Sequence, residues 1–61
     1  MSEALFTRLI NLIVTQNGNG HKQLEAKVKN GELSESDAAI IKLRAAATIL
    51  NNKLDELSAK A

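Results

Sequence analysis

Apolar residues recur at helical spacing along most of the chain, and two glycine-containing breaks, Asn17-Gly18-Asn19-Gly20 and Asn30-Gly31, divide that pattern into three segments. The first is predicted as a helix over residues 3–16, with Ser2 as its N-cap and Glu3 in the positive first turn. Leu5, Leu9, Leu12 and Ile13 form one stripe, which Phe6, Ile10 and Val14 widen to about half the circumference. A helix packed on one neighbour needs an arc of only about 100°, so this one is expected to lie between two surfaces.

The second segment, 21–29, is thinly apolar. Leu24 and Val28 stand one turn apart, and Glu25 and Lys29 form an i,i+4 pair in the favoured order. A helix this short is marginal in water and forms only if Leu24 and Val28 dock on something.

The third segment gives the strongest signal. Leu33-Ser34 followed by Asp37 has the form of an N-terminal capping box, with Ser34 as N-cap and Leu33 placed to staple onto Ala38. A helix over 35–59 follows. Along it Ile40, Leu43, Ala47, Leu50, Leu54, Leu57 and Ala61 alternate by three and four, the seven-residue repeat of a left-handed helix pairing. This repeat predicts a principal seam of Leu43, Leu50 and Leu54 against Leu5, Leu9 and Leu12. Roughly opposite lie Ala38, Ile41, Ala45 and Ile49, with only Lys42, Arg44 and Thr48 interrupting the apolar ring. Burial on two sides is expected there, and Ala45-Ala46-Ala47 lets a second helix approach closely. Asn51, beside the seam, is placed to fix register between chains.

Length sharpens this picture. In 61 residues a single core supplies only about 3–5 kcal/mol, and chains this small usually add disulfides, a metal or a partner subunit. There is no cysteine, and His21 is the only histidine, so partner burial remains. The absence of proline, one aromatic residue and 44% apolar content agree with an all-α chain. The expected architecture is a single domain over 1–61, a helical hairpin or three-helix unit completing its core by homo-oligomerisation, as a dimer. Phe6, Ile10, Ile41, Ala45 and Ile49 are the expected interface.

Charge narrows the function classes. Eight basic against seven acidic residues give +1, with Lys22, Lys27 and Lys29 running straight into Glu32, Glu35 and Asp37. No apolar run reaches the 18 or more residues of a membrane span, and the acidic start Met1-Ser2-Glu3 is unlike a secretory signal, which predicts a cytoplasmic protein. No nucleophile has an adjacent base at a recognisable spacing, so catalysis is not expected. Neither a metal site nor a cofactor is expected, since the acids lack the alternation and glycine of a calcium loop and His21 has no second histidine.

Three functions stay in view. The leading one is a small non-enzymatic homo-oligomer that binds a protein partner, comparable in architecture to small phage and plasmid regulators, inhibitors and assembly factors. The second is capture of a phosphorylated small molecule or nucleotide at Gly18-Asn19-Gly20-His21-Lys22, where a glycine-rich turn feeding a helix start would offer backbone N–H groups beside a lysine. The third is nucleic-acid binding through Lys22, Lys27 and Lys29 of the basic 21–29 segment. The acidic first turn of the third helix opposes a helix-turn-helix docking.

Overall fold

The structure, a computed structural model, describes residues 3–60; the expected cap at Ser2 and the last heptad position, Ala61, lie outside them. The fold is all-α. Three helices, α1 (Glu3–Thr15), α2 (Asn17–Lys29) and α3 (Glu35–Lys60), follow one another, with no strand among the described residues.

The start of α2 departs from the sequence expectation. Asn17-Gly18-Asn19-Gly20 is the opening of α2, not a turn, and a single residue, Gln16, separates α1 from α2. Gln16 takes a non-helical backbone (φ −139°, ψ 70°), and its carbonyl accepts from Gly20 N–H at 2.7 Å, the first bond of α2. Its side-chain amide oxygen accepts from Asn19 at 3.2 Å. The reason for glycine here is packing. A Cβ on Gly20 would stand 2.5 Å from both Ile13 Cα and Ile13 N, so only hydrogen allows α2 to lie directly on the last turn of α1. Gly18 meets nothing within 4 Å of the same added atom.

The second break behaves as the sequence predicts. Gly31 has φ +86°, the left-handed conformation that glycine adopts without a Cβ penalty. Gly31 N–H donates to the Val28 carbonyl at 3.2 Å and Glu32 N–H to the Lys27 carbonyl at 3.0 Å, the paired bonds of a Schellman motif. The Lys27 ammonium reaches Glu32 at 2.8 Å across the same turn. Three residues later the capping box forms reciprocally: Asp37 N–H donates to Ser34 Oγ at 3.1 Å, and Ser34 N–H donates to the Asp37 carboxylate at 3.2 Å.

The core is small: Leu9 and Ile13 from α1, Leu24 from α2, Leu33 from the connection, and Ala38, Ile41 and Ala45 from α3. Leu5, Phe6, Ile10, Val14 and Val28 pack against it half-buried. This arrangement corrects the expected seam. Leu43, Leu50 and Leu54 do not meet α1; the opposite face of α3 does, through Ala38, Ile41 and Ala45. The cap explains the roll of the helix. With Leu33 and Ala38 both in the core, the staple fixes which face of the first turn points inward, and Ile41 and Ala45 continue that face at helical spacing. Alanine at 38 and 45 also leaves room for the helices to approach closely.

At 1.5 Å per residue α1 is about 20 Å long and α3 about 39 Å, so roughly half of α3 outruns the body it packs on. From Ile49 to Lys60 every residue is exposed, and the molecule measures 45 × 19 × 17 Å.

Candidate association surface

The residues of the seven-residue repeat lie together on the solvent side of α3. Ile40 is 44% exposed, Leu43 72%, Leu50 60%, Leu54 51% and Leu57 56%, with Ala47 exposed between them. Spacings of three and four keep these side chains in one line along about 25 Å of helix. Charged residues flank the line: Lys42 and Arg44 in the first half, and Lys53, Asp55 and Glu56 in the second. Lys53 and Glu56 stand 3.5 Å apart, both largely in solvent. Thr48 Oγ1 donates to the Arg44 carbonyl at 3.0 Å, so this hydroxyl is satisfied within the helix.

An open groove separates α2 from the first turns of α3. Leu24, Val28, Ala38 and Ala39 supply its apolar lining, and Glu25, Lys29, Glu35 and Lys42 its charged rim.

The residues expected at an interface between chains divide. Ile41 and Ala45 are fully buried by the chain itself, so they belong to the intramolecular core and leave nothing for a second copy. Phe6 and Ile10 are half-buried against that core, and Ile49 is 39% exposed. The surface that remains apolar and uncovered is the repeat. The sequence contained the signal for this: the staple from Leu33 assigns Ala38, and with it Ile41 and Ala45, to the chain's own core, and frees the leucines opposite.

No protein-family model, no curated protein and no solved structure matches the chain.

The α2 residues singled out for ligand contact are placed as follows. Gly18, Asn19, Gly20, His21 and Lys22 occupy the first two turns of α2, with Gly20 buried and His21 half-buried. Lys27 is held by Glu32, while Lys22 and Lys29 are exposed on the helix surface. Gly20 thus serves a helix-helix contact, and the loop that would cradle a phosphate is absent from this connection. Among the described residues no three His, Cys, Asp or Glu side chains come together to hold a metal ion. No helix among them is long and apolar enough to cross a membrane.

Proposed function

We propose that this chain is a non-enzymatic helical module that self-associates through the exposed face of α3 and acts by binding a protein partner, as small regulators, inhibitors and assembly factors do. One observation carries the reading: five large aliphatic side chains stand in line on the solvent side of the longest helix, each more than two-fifths exposed. Scattered exposed leucines need no explanation, but a contiguous apolar strip with charged flanks marks an interaction site. The small core points the same way. Seven buried hydrophobic residues among those described are little to hold a 61-residue chain in place, and burial of the α3 face adds to it through association.

Sedimentation equilibrium at micromolar concentration tests the association. The expected mass is a multiple of 6.6 kDa. Leu50→Glu and Leu54→Glu, which alter exposed positions and leave the core intact, should return the chain to monomer with its helicity kept. A wild-type chain that stays monomeric over this range overturns the reading. The partner is sought by native co-purification followed by reconstitution from purified components. A chain that binds no protein in reconstitution removes the second half of the reading.

A further inference from the structure

The association reading leaves open what covers the α3 stripe and in which direction it runs. Resting on that reading, we infer that the stripe pairs with α3 of a second copy, aligned antiparallel and centred between Ala47 and Leu50. Three observations carry this.

The first is the size of the side chains layer by layer. An antiparallel overlap sets Ile40 level with the partner's Leu57, Leu43 with the partner's Leu54, and Ala47 with the partner's Leu50. The small residue at the middle of the stripe always meets a leucine. A parallel, in-register pair would instead set Ala47 against the partner's Ala47 at mid-seam and leave a gap between leucine layers, and such gaps are destabilising.

The second is charge. One flank of the stripe carries Arg44 and Asp55, and the other carries Lys42, Lys53 and Glu56. Antiparallel alignment brings Arg44 within two positions of level with the partner's Asp55 on one flank, and on the other it brings Lys42 within two positions of both the partner's Glu56 and the partner's Lys53. Parallel alignment sets Asp55 beside the partner's Lys53 and Glu56 together, and sets Arg44 beside the partner's Lys42, away from the acid it meets in the antiparallel pair. Glu56 is free to exchange partners, since its contact with Lys53 is long and solvent-exposed. Exposed rim pairs add little affinity, but they choose between orientations.

The third is the shape of the molecule. Ala38, Ile41 and Ala45 hold α1 and α2 on the far side of α3, so the seam is open along its length. The half of α3 beyond Ile49, which its own chain leaves uncovered, runs in the antiparallel pair along residues 38–47 of the second copy. Each copy thereby covers the other's overhang. Ten large side chains, five from each copy and each more than two-fifths exposed, bury on the order of 1,000 Å² with their flanking stems, the size at which interfaces become specific.

A single spin label distinguishes the outcomes. The chain has no cysteine, so Ser58→Cys at an exposed position supplies a unique attachment point. In the antiparallel pair the two labels are separated by nineteen helical positions, and pulsed dipolar spectroscopy should give about 30 Å. A parallel pair would hold the labels across one interhelical spacing of about 8–10 Å and give a distance below roughly 20 Å. That short distance overturns the antiparallel arrangement while leaving self-association standing. Absence of any interchain distance at hundreds of micromolar, together with a monomeric mass, overturns both. Arg44→Asp adds a second test: it should weaken the pair, and Asp55→Arg in the same chain should restore it. If the double variant is as weak as the single one, these residues do not face each other.

Discussion

Two glycines only two residues apart in α2 should respond to alanine with opposite signs. Alanine in place of glycine within a helix gains up to about 1 kcal/mol from backbone entropy and propensity. At Gly18 an added Cβ meets nothing within 4 Å, so Gly18→Ala should show that gain, reduced to a few tenths of a kcal/mol by its place in the first turn. At Gly20 the same atom falls 2.5 Å from two backbone atoms of Ile13, about 1 Å inside ordinary contact, and backbone cannot rotate away as a side chain can. The helices must separate, and Ile13 and Leu24, both essentially fully buried, lose packing. Overpacking of this kind costs about 1–3 kcal/mol, and the stiffness of the obstacle places it in the upper half of that range. Set against the propensity gain, Gly20→Ala should lose about 1–2 kcal/mol net, a fall in melting temperature of roughly 5–15 °C for a domain this small. The assay is thermal denaturation followed by circular dichroism at one fixed protein concentration, because association shifts the midpoint by mass action. Equal and positive shifts for the two variants would refute the close α1–α2 approach and return residues 17–20 to a mobile turn.

The two faces of α3 make a second contrast: Ile41→Ala, at a fully buried position, should cost about 2–5 kcal/mol and leave the chain mostly unfolded, whereas Leu43→Ala should leave the dilute monomer's melting within a few degrees of wild type and weaken association. Loss of the capping box through Ser34→Ala should cost about 1 kcal/mol in chemical denaturation, and an unchanged midpoint would show that α3 starts without it. Gly31→Ala forces a left-handed conformation on a residue with a Cβ and should cost about 1–2 kcal/mol, although space around it is open; a neutral result would mean that α2 ends in another geometry.

The exposed α3 stripe gives the length of this helix a physical meaning. A body built on α1 and α2, with 13 residues each, needs only the first half of α3, and among the described residues nothing packs on the remainder. An unsupported helical stretch of this length is marginal in water on its backbone bonds alone. The heptad spacing runs unbroken through both halves, which ties the supported and unsupported parts into one surface.

Local chemistry determined much of this protein in the sequence itself. Ser34, Asp37 and Leu33 mark the start of α3, and Asn30-Gly31 marks the end of α2, because caps and left-handed closures depend on residues within a few positions of one another. Helical periodicity determined the all-α class in the same way. Two features were decided only by tertiary structure. Asn17-Gly18-Asn19-Gly20 reads locally as a turn; it is helical because Gly20 lies on the backbone of Ile13, a contact that no window around residue 20 reveals. Periodicity likewise finds two apolar stripes on α3 without stating which one the chain covers. The choice fell to the stripe that combines small residues with the stapled first turn, Ala38, Ile41 and Ala45, since helices approach most closely over alanine. The longer leucine repeat, the more conspicuous pattern in the sequence, was left facing water for that reason.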